Sequence, residues 1–498
     1  MNRPNTGWVL LVALLAATWS FADDGDRTSA PWRQYLGMDT SRGNPTDHWR
    51  ATMRGTYPLS TPRASISNSI NADRLDEVLA GDDWINLQDG YNYRSREQVN
   101  EFFDAVRSDG GAAWRANCTR LAQSMVDGNV RNRASGHRAY WELGNEIYVG
   151  AAARNIGGWA KANGLPYPHP NSNYNDNPGH GDRMNDRGVI GYQVEYQIAL
   201  ALEALMRVNA RAPEGHRVRI LSPASTAGSI NSGWTDALLD YVIVGYEMEV
   251  DAQGKPFTNF KKPLAASLAG KRLRDLIDIV NVHYILGRDA ALLQRLLDTY
   301  VTPASRIRGV WHTEEGGIRA ASEGRGGVST MHTFPRALDV WLSRGLPAAD
   351  ARLCYYGANT GPEGTTADAA LDLLDAFMPA ATTRLVRKPE LLVGAGKELE
   401  TYVFENTSGT KRVLFILSGS RAESSTLEQL HLKAGGWNRG DVTGVARIWV
   451  SGSQPVAHPV EVTRSADGSG HILAFPPVTV GGRDKGALVL FLSAVPNP

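Results

Sequence analysis

From about Trp49 to Ala380, short apolar runs alternate with longer stretches in which apolar side chains recur every three or four residues. The short runs read as strands, the clearest being Trp84–Leu87 (WINL), Ala139–Leu143 (AYWEL), Val218–Leu221 (VRIL), Ile277–Tyr284 (IDIVNVHY), Gly309–His312 (GVWH) and Ala351–Tyr356 (ARLCYY). The three-and-four spacing predicts helices over Gln98–Arg107 (QVNEFFDAVR) and Tyr192–Val208 (YQVEYQIALALEALMRV). Strands that alternate with helices imply a parallel sheet joined by crossovers, and the run is long enough for a (β/α)8 TIM barrel. Met53–Tyr57 and Ala64–Ile70 are the expected first two strands. After Lys388 the texture changes to short alternating segments such as Leu399–Phe404, Arg412–Leu417 and Ala487–Leu492, separated by Gly/Ser/Asn-rich turns. That pattern predicts a C-terminal antiparallel β-sandwich. The expected fold class is therefore α/β, with a barrel over residues 23–384 followed by a sandwich over 385–498.

The remaining N-terminal stretch has a different character. Arg3 precedes an apolar run from Trp8 to Thr18, and Ser20-Phe21-Ala22 supplies small residues where a signal peptidase cuts. Residues 1–22 thus read as a secretory signal cleaved before Asp23, since the apolar run falls short of the roughly 20 residues a membrane span needs. The expected location is secreted or periplasmic, with no membrane association after cleavage.

Of the 498 residues, 42% are hydrophobic and 21% charged, and the formal net charge is zero, so nothing here draws a nucleic acid or an anionic membrane. Cys118 and Cys354 suit two buried thiols at least as well as a disulfide, and two cysteines in so long a chain make no framework. His169 and His180 lie in a Pro/Asn/Gly-rich stretch without the spacing of a ligand set, so neither a metal nor an organic cofactor is expected.

Two segments carry acids where a barrel does its chemistry, at the C-terminal ends of strands. One is Tyr140-Trp141-Glu142-Leu143-Gly144-Asn145-Glu146; the other is Val310-Trp311-His312-Thr313-Glu314-Glu315-Gly316-Gly317. As the fourth and seventh strands of a closed barrel they face each other across its mouth. Two carboxyl groups on opposite sides of an anomeric carbon are what hydrolysis with retention requires: one attacks, the other protonates the leaving oxygen and then deprotonates water. Glu146 is the candidate acid/base and Glu314 the candidate nucleophile. Because neighbouring strand residues face opposite ways, only one of Glu314 and Glu315 is expected to enter the site. Glu142 shares the parity of Glu146 and reads as a buried structural acid. Asn145 could hold a sugar hydroxyl beside the acid. The segment from Tyr148 to Gly188, with Tyr167 and Tyr174, reads as a loop shaping a cleft wall, and Trp159, Trp234 and Tyr91 on post-strand loops are candidate sugar platforms.

The segment Trp141-Glu142-Leu143-Gly144-Asn145-Glu146 resembles the acid/base segment of the clan A glycoside hydrolases, in look nearest to the α-L-arabinofuranosidase-like branch. Val282-His283-Tyr284 resembles the sixth-strand histidine–tyrosine of that group, and Thr313-Glu314-Glu315-Gly316 its nucleophile strand end. The resemblance runs from about Trp84 to Tyr356 and implies that His283 and Tyr284 line the subsite where the bond is cut. Two features depart from it: Glu315-Gly316-Gly317 stands where arabinofuranosidases carry Trp-Asn, and Thr61-Pro62-Arg63 is only a faint substitute for an Arg-x-Pro-Gly-Gly segment. The expectation is a secreted retaining O-glycosidase acting on polysaccharide or oligosaccharide. Its rivals are another clan A specificity (β-xylosidase, endo-glucanase, uronidase) and a non-catalytic carbohydrate-binding protein on the same scaffold.

Overall fold

The computed structural model describes residues 31–39, 62–65, 72–81, 83–88, 95–172, 187–248, 262–286, 291–315, 326–356, 374–379, 383–388, 392–393, 399–418, 424–433, 442–449, 456–468, 470–481 and 487–494. The expected signal over residues 1–22 and the expected strand Met53–Tyr57 lie outside them.

Eight strands form the first sheet's main ring: β1 (Leu36–Asp39), β2 (Pro62–Ser65), β3 (Trp84–Leu87), β4 (Ala139–Glu142), β5 (Arg219–Leu221), β6 (Ile279–His283), β7 (Gly309–Glu315) and β8 (Ala351–Tyr356). Each pairs in parallel with its sequence neighbour, β8 pairs with β1, and β5 meets β6 at Leu221 and Ile279, with a two-residue strand Ser225–Thr226 also beside β6. The closed parallel ring is the arrangement of a (β/α)8 barrel. Its first strand is not where the sequence pattern put it. Leu36–Asp39 reads Leu-Gly-Met-Asp, too short and too polar to register as an apolar run, and it is held by parallel pairing to β2 and β8 on its two sides.

Alternation along the strands fills the ring. Ile85, Tyr140, Leu221, Ile279, Trp311 and Cys354 form an interior cluster. At the N-terminal end the interior is closed by ion pairs, Arg352 with Asp83 at 2.6 Å and Arg219 with Asp350 at 2.5 Å, and the Arg352 guanidinium lies 4.8 Å from the Trp311 ring centre. Gly309 starts β7 because a Cβ there would fall 1.7 Å from the Asp350 carbonyl oxygen. Cys118 and Cys354 are both buried, and neither forms a disulfide.

The helices carry the apolar stripes expected of crossovers. Arg96–Asp109 (α1) begins at a reciprocal cap in which Gln98 N–H donates to Ser95 Oγ and Ser95 N–H to Gln98 Oε1, and it buries Val99, Phe102, Phe103 and Val106. Residues 150–162 form a further helix, labelled α2 (Gly150–Ala162), so the front of the segment expected as loop is instead helical, its buried Ala152, Ala153, Ile156, Trp159 and Ala160 at helical spacing. Residues 173–186, Tyr174 among them, lie outside the described residues. Trp234–Leu239 (α3) follows β5, and Gly326–Ser343 (α4) follows β7. No helix among the described residues is long and apolar enough to cross a membrane.

From Leu385 onward the strands are antiparallel and form two sheets, one of six strands and one of four. Both faces of the strand segment Arg412–Leu417 in the six-stranded sheet are buried. Leu414 and Ile416 join Leu473, Phe475 and Val480 of the other sheet in one apolar layer, while Val413, Phe415 and Leu417 on the same strand join the cluster that includes Trp341 of α4. Period-two alternation thus serves two interfaces at once. Arg336 of α4 bridges to Glu400 at 2.7 Å, and Phe377 packs on Phe491 at 4.9 Å.

Candidate active site

β4 ends at Glu142, and the chain turns through Gly144-Asn145 to Glu146 before α2. The turn is tied to the end of β5: Leu143 N–H donates to the Leu221 carbonyl at 3.1 Å and Ala224 N–H to the Gly144 carbonyl at 2.9 Å. A Cβ on Gly144 would meet the Ile147 side chain at 2.9 Å, so the turn closes only over a glycine. Glu146 itself has φ 46° and Tyr284, just past β6, has φ 54°; among the described residues these are the two non-glycine residues with positive φ. A left-handed backbone costs an L-residue about 1–2 kcal/mol. Such strain collects where the surrounding structure holds a side chain for a purpose, and here both strained residues aim at one spot.

Glu314 reaches that spot through a β-bulge. Against β6, Val282 lies opposite His312 and His283 opposite Glu314; against β8, His312 lies opposite Leu353 and Glu315 opposite Tyr355. One extra residue is therefore accommodated near Thr313. Trp311 faces the barrel interior, so uninterrupted alternation would turn Glu315 inward and Glu314 outward. The bulge resets the phase. Thr313 and Glu314 both engage β6 side chains, whereas the nearest partner of Glu315 is His312 at 3.4 Å, and His312 packs edge-on against Trp341 of α4.

The groups then converge. His283 Nδ1 is 2.9 Å from Glu146 Oε1 and 3.5 Å from Glu314 Oε2, and the three contributed atoms all lie within 4.8 Å of one another. Tyr284 Oη donates to Glu314 Oε2, and Tyr284 N–H to the Glu314 carbonyl at 3.0 Å. His283 Nε2 is 3.0 Å from Thr313 Oγ1. The Glu314 side chain is 9% exposed and that of Glu146 24%, so one carboxylate is set deep and the other nearer the mouth. Two carboxylates and an imidazole could ligate a divalent cation.

Around this centre, Asn145 is half-buried on the turn before Glu146, and Glu142 is fully buried on β4, two residues on from the interior Tyr140. Tyr91 lies outside the described residues. The two expected indole platforms are not platforms. Trp159 is 1% exposed on α2, donates Nε1–H to Asp104 Oδ1 at 2.8 Å and packs on Phe103 and Tyr196. Trp234 is fully buried on α3 against Tyr148. Both sit on helices whose apolar stripe turns them inward, leaving no ring face for a sugar. Conversely, the sequence pattern passed over Asn281 and Thr313, both fully buried beneath His283. Asn281 was findable, two positions before His283 on one strand face; Thr313 shares the inward parity of Trp311, but which β6 side chains it meets depends on the bulge.

No family model and no curated protein matches this chain. Among the solved structures similar to it are several glycoside hydrolases. A family 39 β-xylosidase from Caulobacter crescentus aligns over 93% of this chain and 97% of its own, at 11% identity and a TM-score of 0.39. An arabinofuranosidase aligns over 93% and 97% at 10% identity and 0.36. A Paenibacillus polymyxa xyloglucanase of family 44 aligns over 72% and 71% at 12% identity and 0.35. Similarity this low does not reach substrate or mechanism, which rest on the side chains themselves.

Proposed function

We propose that this chain is an exported retaining glycoside hydrolase, its barrel over residues 23–384 catalytic and its C-terminal sheets a β-sandwich. The observation that carries the reading is the meeting of Glu146, on the turn after β4, and Glu314 of β7, with carboxylate oxygens within 4.8 Å. Double displacement calls for carboxyl groups roughly 5 Å apart, whereas inversion needs about 6.5–9.5 Å to seat a water between them.

In the first step Glu314 attacks the anomeric carbon while protonated Glu146 gives its proton to the departing glycosidic oxygen. The carbon–oxygen bond breaks as the bond to Glu314 forms. In the second, Glu146 as carboxylate takes a proton from water, the oxygen attacks the same carbon, and Glu314 leaves. Tyr284 holds Glu314 in place, and Asn145, on the turn beside Glu146, would bind a hydroxyl of the sugar. The likeness of the Trp141–Glu146 segment favours an α-L-arabinofuranosidase-like specificity over β-xylosidase, endo-glucanase or uronidase action.

A 2-fluoro glycoside with a good leaving group tests the reading. It should label the protein once, on the peptide bearing Glu314, and the first product formed from a substrate should keep its anomeric configuration by NMR. An inverted product would sink the mechanism, and a chain that hydrolyses none of a panel of aryl glycosides would be a binder. Activity unaffected by EDTA would set aside metal ligation by Glu146, His283 and Glu314.

A further inference from the structure

We propose that Asn281 and Thr313 are positioning residues that fix the tautomer of His283, so that its Nδ1 faces the carboxylates and shares the proton Glu146 delivers. The proposal rests on the glycosidase reading and extends it to residues that touch no substrate.

The direction of the relay follows from what each atom can do. Thr313 Oγ1 lies 2.8 Å from Asn281 Oδ1, a carbonyl oxygen that can only accept, so the threonine hydroxyl donates to it. The hydroxyl's proton being spent there, Oγ1 is left as an acceptor toward His283 Nε2, 3.0 Å away, and that nitrogen must carry a hydrogen. The backbone N–H of Asn281 donates to Ser222 Oγ at 2.9 Å, anchoring this end of the chain. Asn281, His283 and Thr313 are all fully buried. With Nε2–H committed, the only imidazole nitrogen open to proton exchange is Nδ1, and its neighbours are Glu146 Oε1 at 2.9 Å and Glu314 Oε2 at 3.5 Å.

A proton carried by Glu146 Oε1 for delivery would thus face Nδ1 across that 2.9 Å contact. When the leaving oxygen takes it, Glu146 is left a carboxylate and His283 neutral. The water consumed in the second step returns it, so the cycle balances. Second-sphere partners of a functional histidine act in this way, by orienting the ring and choosing its tautomer.

Two measurements test the relay. In the full chain labelled with [15N]histidine, with the His283 signals identified by their loss in His283→Gln, Nε2 should stay in the protonated range across the pH range of activity while Nδ1 lies between the free and protonated limits. The opposite pattern, Nδ1–H with a bare Nε2, would mean that the Asn281 amide is turned and donates to Thr313, and would overturn the proposal. Kinetically, Thr313→Val should lose about 10- to 100-fold in kcat/KM on glycosides with poor leaving groups, which need the acid, and less than about threefold on dinitrophenyl glycosides, which do not. Thr313→Ser, which keeps the hydroxyl, should restore the poor substrates. Equal losses on both substrate classes, unrescued by serine, would reduce Thr313 to a packing residue. If the wild type hydrolyses nothing, the glycosidase reading fails, and the tautomer alone decides whether the relay stands.

Discussion

Tyr284→Phe deletes one oxygen, the donor to Glu314 Oε2, and leaves the ring in place. The Glu314 side chain is only 9% exposed, so water does not easily replace the lost bond. A hydrogen bond to a charged group contributes about 1.5–3 kcal/mol, which at 1.36 kcal/mol per decade is a rate factor of about 10 to 150. The step that suffers is set by when Glu314 is charged. Attack on the sugar spends its charge, so weakening the resting anion does not slow attack. Departure from the glycosyl-enzyme restores the charge, and there the missing donor is felt. The variant should lose about 10- to 150-fold in kcat, keep kcat/KM within about threefold and accumulate covalent intermediate. Stopped-flow hydrolysis of a dinitrophenyl glycoside would show this as a burst of one equivalent, with the intermediate caught on the Glu314 peptide by mass spectrometry. Parallel loss of kcat and kcat/KM without a burst would refute the reasoning, since it would place the role of Tyr284 in the first step.

Glu146→Ala should cut turnover of substrates with poor leaving groups by about 10²- to 10⁴-fold, and azide should rescue dinitrophenyl substrates as a glycosyl azide of unchanged configuration at the site of attack by water. Trp159→Ala should destabilise the fold by about 3–5 kcal/mol in denaturant melts, with KM unaltered wherever the protein remains folded; a raised KM at normal stability would restore its role as a platform. The pH dependence of stability contains two opposed contributions. Burial lowers His169 from 6.5 to about 3, so the folded state resists a proton that the unfolded chain accepts, and stability falls as pH drops below about 6.5. Burial raises Glu195 from 4.5 to about 7, outweighing the hydrogen bonds it accepts from Val244 N–H, Gly245 N–H and Tyr241, so stability rises as pH drops from about 7 toward 4.5. Each slope is about 1.4 kcal/mol per pH unit, so between pH 4.5 and 6.5 they largely cancel. Thermal melts of Glu195→Gln should therefore lose stability on acidification across this window and those of His169→Gln should gain it; two flat profiles would contradict both assignments.

Much of the barrel was legible because its signals are local. Trp84–Leu87 and Ala351–Tyr356 are strands with the bounds their apolar runs suggest, and the capped stripe of α1 needs no partner to be recognised. Leu36–Asp39 was illegible because Leu-Gly-Met-Asp becomes a strand by pairing on both sides, not by its own preference. Trp159 and Trp234 were misjudged for the reverse reason: an indole looks the same on a loop and on a helix, and only the packing of α2 and α3 says which face meets the core.

The amino-acid order alone determined that a Gly-Asn-Glu turn and a Thr-Glu-Glu strand end would lie on the same rim of an α/β ring, since strand direction and helical crossover length follow from short-range pattern. It did not determine which acid of the pair Glu314-Glu315 turns inward, nor that Thr313 would reach Asn281 and His283. Those depend on one residue of slippage between β7 and its two neighbours, and a register shift is a property of three strands together that no single strand encodes.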